Sequence, residues 1–204
     1  MTAILSDVGV EKLRFRAKAA TICLGIYAVS SLLLDLTTWL APPGSALETT
    51  LLPIVALIST AALIAAVVFV AMWTHRANKN LRDHGADLEY TPGWAVGWYF
   101  IPFANLVKPF HAAREIWNAS IHGAGVRSDE SDPLLTRWWA TWIVGSIVSN
   151  AGVRLEGKIS PDPLLGINVL GSVLLAIAAY SLFEIISAVT RAQMDRLGMS
   201  DVFA

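Results

Sequence analysis

His111 and Glu115 stand four residues apart, so a helix through them would place an imidazole and a carboxylate on one face. Such a pair could hold a divalent metal or move a proton, but a metal site needs further ligands. None of the four histidines, His75, His84, His111 and His122, forms a His-x-x-x-His pair. The commoner reading of His111 is a solvated histidine at a membrane interface beside a helix ion pair. Asp35 and Glu184 are the acids inside hydrophobic runs, and an acid inside a membrane is a functional candidate by default. Depth argues against it here. Asp35 lies about 25 Å beyond Lys18 at helical rise, near the outer boundary of a bilayer. Glu184, about 20 residues into its run, falls near the inner boundary. There it would be level with Lys108 and Arg114, and a part-buried pair could pin two segments together. Asn105, between Pro102 and Pro109, can donate to and accept from backbone groups left open by a broken helix. Capping that break is the commoner use; contact with a ligand is the alternative. Trp94, Trp98 and Trp117 could line an aromatic pocket, although packing and interfacial anchoring are more frequent roles for indoles.

The elements that must position these residues follow from composition and periodicity. The chain has 204 residues, is 55% hydrophobic and only 15% charged, where a soluble domain carries about a quarter charged residues. This is the composition of a membrane protein. Cys23 is the only cysteine, which excludes an intrachain disulfide and sites built on several thiolates; it reads as an inert small apolar residue. Four hydrophobic runs are each long enough to cross a bilayer, which takes about 20 residues: 19–41, 51–74, 134–153 and 164–189. Ser6 is a candidate N-cap ahead of the first. Pro42-Pro43 follows that run where a signal peptide would need small residues and a cleavage site, so the run reads as an uncleaved span. Pro53 fits the first turn of the second span, and Ser59, Ala62 and Ala66 suit close helix contact in lipid. That helix continues past the span to a stop at Gly85. After a loop, 123–132, carrying Asp129, Glu130 and Asp132, Asp132-Pro133 reads as a cap plus first turn for the third span, and Asp162-Pro163 does the same for the fourth.

Between the second and third spans lies the stretch 92–122. Thr91 caps a helix with Pro92 at its first position, Gly93-x-x-x-Gly97 offers a close-contact surface, and Pro102 breaks the helix after about ten residues, roughly 15 Å or half a hydrocarbon core. Beyond Pro109 an amphipathic helix sets Phe110, Ala113, Trp117 and Ile121 against His111, Arg114, Glu115, Asn118 and His122, the pattern of an interfacial helix. If this stretch enters and leaves on one side, 13 of the 15 Lys and Arg share a compartment with both termini, and only Arg154 and Lys158 face the other. If it crosses, the split is 9 against 6. Lys and Arg favour cytoplasmic segments, so the first arrangement is preferred. The fold read from the sequence is therefore all-α: a single polytopic membrane helical bundle over residues 1–204, with four transmembrane helices, a broken re-entrant or interfacial half-helix, an amphipathic interfacial helix, and both termini in the cytoplasm. A hint of duplication, Arg76-Ala77-Asn78 against Arg191-Ala192-Gln193, rests on so few identities that chance explains it.

The run Pro92-Gly93-Trp94-Ala95-Val96-Gly97-Trp98, then Ile101-Pro102, Asn105-Leu106, Pro109 and Glu115-Ile116-Trp117, resembles the signature of a bacterial membrane family catalogued as domain of unknown function 4328. The resemblance covers about residues 50–190, including Arg76, Asn78 and Leu81. It implies a protein of the bacterial inner membrane and no particular activity.

No Gly-x-Ser-x-Gly elbow, phosphate loop, dinucleotide fingerprint or zinc motif occurs, so no cofactor is expected and the reading leans away from an enzyme. Arg76, Lys79 and Arg82 are accounted for by topology and attraction to anionic lipid, and nucleic-acid binding has no support. The expected partners are membrane lipids and another membrane or cytoplasmic protein. The favoured function is a non-catalytic scaffold or accessory subunit acting through its cytoplasmic face. A small pore, transporter or lipophilic-ligand binder with residues 92–109 lining a cavity comes second, and a membrane enzyme using His111 and Glu115 a distant third. The motif expected to matter comprises Pro92, Gly93, Trp94, Gly97, Trp98 and Pro102, continuing through Asn105, Pro109, Arg114, Glu115 and Trp117 to Glu184 on the last span.

Overall fold

An apolar stripe runs through the basic N-terminal segment. Leu13, Ala17, Ala20 and Leu24 recur at helical spacing and are all buried, which joins the charged residues and the first hydrophobic run into one helix, α1 (Thr2–Leu40). Ser6 therefore lies inside the helix and does not cap it. The computed structural model describes residues 2–123 and 131–200, with side chains from 8 to 123 and from 131 to 195; the expected loop acids Asp129 and Glu130 lie outside these. A π-helical turn, Leu47–Leu51, leads into α2 (Leu52–Asp83). Its wider i→i−5 bonding, Leu52 N–H to the Leu47 carbonyl, precedes Pro53, whose missing N–H is harmless in a first turn. Gly85, at φ 83°, stops α2 as expected: its left-handed conformation lets Ala86 N–H reach the Leu81 carbonyl at 3.0 Å.

After α2 come α3 (Pro92–Gly97), α4 (Lys108–Ile121), α5 (Pro133–Leu155) and α6 (Pro161–Ser200). The described residues contain no strand. Asp132 caps α5 through a 2.8 Å bond from Leu134 N–H to its carboxylate. At α6 the start falls two residues earlier than the Asp162-Pro163 signal implies, because Pro161 also fits a first turn and Asp162 then sits within it. Three helical segments are long and apolar enough to cross a membrane: Val8–Leu40, Leu47–Asp83 and Pro161–Asp195. With 23 residues, α5 reaches about 35 Å and has the length, but its tryptophans, hydroxyls and two arginines keep it out of that group.

The chain divides into two compact units. One comprises Ile22–Ala66 and Arg137–Leu182. Ser59, Ala62 and Ala66 are buried there, as their small size suggests. In this unit α5 and α6 approach so closely that a β-carbon at Gly145 would meet Leu174 and Leu175 at 3.1 Å, and one at Gly171 would meet the Ser149 backbone nitrogen at 3.2 Å. The other unit comprises Met1–Thr21, Val67–Thr136 and Phe183–Ala204, and it contains the whole 92–122 stretch.

Candidate functional site

The stretch begins as its sequence dictates. Thr91 is extended, at φ −66° and ψ 157°, its hydroxyl accepts from Trp94 N–H, and Pro92 takes the first position of α3. Six α-helical residues pass into a 3₁₀ turn, Trp98–Phe100, and the helix ends at Ile101, whose extended backbone is what a following proline demands. Pro102 breaks the helix, slightly earlier than the ten residues expected.

The break closes on its own backbone. Ala104 N–H donates to the Pro102 carbonyl at 2.8 Å and Asn105 N–H to the Ile101 carbonyl at 2.9 Å; Leu106 and Val107 continue the run to Phe103 and Ala104. Phe103, at φ 64° and ψ −41°, is the centre of a three-residue γ-turn of the rare positive-φ kind. The Asn105 side chain makes no hydrogen bond among the described residues, so the amide expected to cap the break is spared that task. The glycine surface is a second correction. A β-carbon at Gly93 would meet nothing within 4 Å, and one at Gly97 would meet only the Trp94 side chain. Instead α3 packs on α4 through Ala95 and Ala112, with Tyr90 and Trp98 beside them.

Tyr90, absent from the residues singled out above, is fixed at every polar group. Its N–H donates to Glu115 at 3.2 Å, its carbonyl accepts from Asn78 Nδ2 at 2.9 Å, and its hydroxyl accepts from Lys108 Nζ at 3.3 Å. The Lys108 ammonium also lies 5.5 Å from the centre of the Tyr90 ring and 5.7 Å from that of Trp98, within cation–π range. Lys108 is thus committed to Tyr90 rather than to Glu184. The second Glu115 oxygen accepts from Glu89 N–H, and Arg82 donates to the Leu88 carbonyl. Both carboxylate oxygens therefore tie the loop after α2 to α4. Burial raises the Glu115 pKa against the opposing pull of these two amide bonds. His111 on the same helix is pushed down, by burial first and then by Arg114 and Lys108. Among the described residues no three His, Cys, Asp or Glu side chains converge as a metal site would require.

The buried side of α4 differs from the one its apolar residues suggest. Pro109, Ala112, Ile116 and Ala119 are buried, and so are Trp117, Asn118 and Ser120, while Phe110, Ala113 and Ile121 are only half-buried. The reason lies on α6. Gln193, 2% exposed, donates to the Ser120 hydroxyl at 3.0 Å and to the Ala77 carbonyl at 3.2 Å, and accepts from Asn80 at 3.3 Å. One turn back, Thr190 accepts from the Trp73 indole at 3.0 Å. Asn78, Asn80, Ser120 and Gln193 thus form the buried polar core of this unit. Their only sequence signal is the similarity of Arg76-Ala77-Asn78 to Arg191-Ala192-Gln193, set aside as chance.

The remaining motif residues are distributed as follows. Trp94 and Trp98 pack with their rings tilted by 33° and 4.8 Å between ring centres, and Trp94 is half exposed. The indole N–H groups of Trp98 and Trp117 are buried without a partner among the described residues. Pro109 is fully buried in the first turn of α4. Arg114 is part-buried on α4, and Glu184 is part-buried on α6 next to the fully buried Ile185 and Ile186. Facing outward from the stretch are Phe100 at 72% exposure, Phe103 at 85%, and the half-exposed Leu106 and Val107.

No curated protein and no solved structure matches the chain. A family model does, over residues 38–194, well over half its length and slightly more than the signature alone suggests. The chain belongs to the family described as Domain of unknown function (DUF4328).

Proposed function

We propose that the protein is a four-span bacterial inner-membrane protein with both termini and residues 75–137 in the cytoplasm, serving as a non-catalytic scaffold or accessory subunit. Its 92–107 segment dips into or lies along the cytoplasmic interface. The observation that carries this reading is how the signature uses its polar groups. Glu115 spends both oxygens on backbone amides, Lys108 bonds to Tyr90, and Asn78 holds the Tyr90 carbonyl. What the segment presents outward is apolar: Trp94, Phe100, Phe103, Leu106 and Val107. Such a surface suits lipid or a partner helix better than it suits a reaction.

Topology is tested with single cysteines in a Cys23→Ala background and a membrane-impermeant maleimide. Thr49→Cys and Glu156→Cys label in intact spheroplasts, and Asp87→Cys only after permeabilisation. Labelling of His122→Cys together with loss of Glu156→Cys labelling in intact spheroplasts would mean that the central stretch crosses. For the scaffold role, a photoreactive residue at Phe103 yields discrete protein or lipid adducts that a Phe100→Ser variant weakens; repeated absence of any adduct sinks the idea. A ligand-binding reading is favoured by one feature, the indole N–H groups of Trp98 and Trp117, which have no partner among the described residues. It predicts that Trp98→Phe weakens retention of a co-purifying polar molecule.

A further inference from the structure

Away from the signature, α1 and α6 enclose a groove of about 440 Å³. From α1 it takes Arg14, Ala17, Lys18 and Thr21, spaced 3, 4 and 7 residues from Arg14 and so on one face. From α6 it takes Ser187, Thr190 and Arg191 with Ile186 and Met194 as apolar wall, and Asp195 at the end. Arg14, Lys18 and Arg191 are exposed, and none makes an ion pair among the described residues. Three cations against one acid leave two positive charges. Thr190 accepts the Trp73 indole hydrogen, so its own hydroxyl hydrogen remains to be donated, and Ser187 adds a second hydroxyl.

The position of the groove along both helices narrows the occupant. Lys18 immediately precedes the apolar run 19–41, and Thr190-Arg191 immediately follows the run 164–189. Both walls therefore change from charged to apolar at the groove, the profile a phosphate group experiences at the headgroup level of a bilayer. Arg and Lys on a phosphate form strong charge-assisted bonds, and basic clefts between membrane helices hold anionic headgroups. We infer that this groove binds the phosphate of an anionic phospholipid, with Arg14, Lys18 and Arg191 as its cations, the Ser187 and Thr190 hydroxyls as neutral donors, and Ala17, Ile186 and Met194 against the first acyl carbons. The site is independent of the scaffold reading, since it uses none of residues 92–122.

The test uses the full chain in nanodiscs of phosphatidylcholine with a minor share of phosphatidylglycerol, and native mass spectrometry to count retained anionic lipid. The variant Arg14→Gln/Lys18→Gln/Arg191→Gln loses about tenfold or more of that retention. A Lys12→Gln/Arg154→Gln/Lys158→Gln control, equal in charge change and on exposed positions elsewhere, keeps it. Unchanged retention in the first variant, or equal loss in the control, overturns the site. Ser187→Leu fills the groove while leaving every cation in place. It loses lipid to the same degree, and it decides the matter alone if the triple variant does not fold; retention by this variant overturns the assignment. A last arm adds inorganic phosphate in phosphatidylcholine alone. A rise in thermal midpoint that the triple variant abolishes would assign the groove to a soluble phosphate and overturn the lipid.

Discussion

Both units bury polar side chains, but they satisfy them differently. Around the signature the buried amides Asn78, Asn80 and Gln193 find partners 12 to 116 residues away along the chain. In the unit of Ile22–Ala66 and Arg137–Leu182 the buried polar groups are serines. Ser30 and Ser181 donate within their own helices, to Tyr27 and Ile177. Contact between helices there rests on the absence of side chains at Gly145 and Gly171, with one polar tie, the Ser181 hydroxyl accepting from Arg137 Nε at 2.9 Å. Small residues let helices approach in an environment that gives no hydrophobic reward, whereas a buried amide accepts only a matching partner. One unit is specified mainly by chemical complementarity and the other mainly by size.

Perturbations that respect one criterion and violate the other separate the two. The largest effect belongs to size: Gly171→Leu forces a side chain onto Ser149 and lowers stability by about 3 kcal/mol, measured as the thermal midpoint in detergent by near-UV circular dichroism. Next comes Gln193→Leu, which keeps volume but strands Asn80, Ser120 and the Ala77 carbonyl. It costs about 2 kcal/mol by the same measurement; no loss would show that the amide network is incidental. Removing the tie in Glu115→Ala costs about 1 kcal/mol and speeds amide exchange at Glu89 and Tyr90, read by hydrogen–deuterium exchange. The pH profile sharpens this case. Because burial raises the folded-state pKa of Glu115, its contribution to stability is fully present below the ordinary carboxylate range. It is lost as pH rises through the raised value, since the unfolded chain gives up the proton first. Glu115→Gln lacks that slope. Smallest of all, Gly93→Ala in the signature changes stability by no more than about 0.5 kcal/mol, and in the stabilising sense, because open space and a helical backbone await the methyl group.

Features set by neighbours in the chain were legible before the structure: the Thr91-Pro92 cap, the Asp132 cap, the Gly85 stop and the break at Pro102. Each depends on atoms within a few residues. The α1 start at Thr2 escaped because its buried stripe, Leu13 to Leu24, is interrupted by charges that the stripe alone explains. The buried side of α4 escaped for a different reason. Apolarity picks Phe110, Ala113 and Ile121, but Ser120 is drawn inside by Gln193, 73 residues away, and no periodicity reports a distant amide. Gly93-x-x-x-Gly97 carried a helix-contact pattern without a helix to contact, while Gly145 and Gly171, in no motif, make the contact. Of the site, the residue types were visible and their assignments were not. Glu115, whose commoner reading is a helix ion pair with His111 and whose rarer one is a reactive pair, is instead a clamp on the backbone of Glu89 and Tyr90.

The γ-turn at Phe103 links a backbone conformation to the surroundings of one ring. Holding a residue with a β-carbon at positive φ costs about 1–3 kcal/mol. With the ring 85% exposed, water returns none of it. Transfer of a phenylalanine side chain into an apolar phase returns about 2 kcal/mol, comparable to the strain. Two terms of similar size and opposite sign meet at this residue, so the net cost of the turn depends on whether the ring is wet or solvated by hydrocarbon. Phe103→Gly holds the turn equally in either medium and removes that dependence.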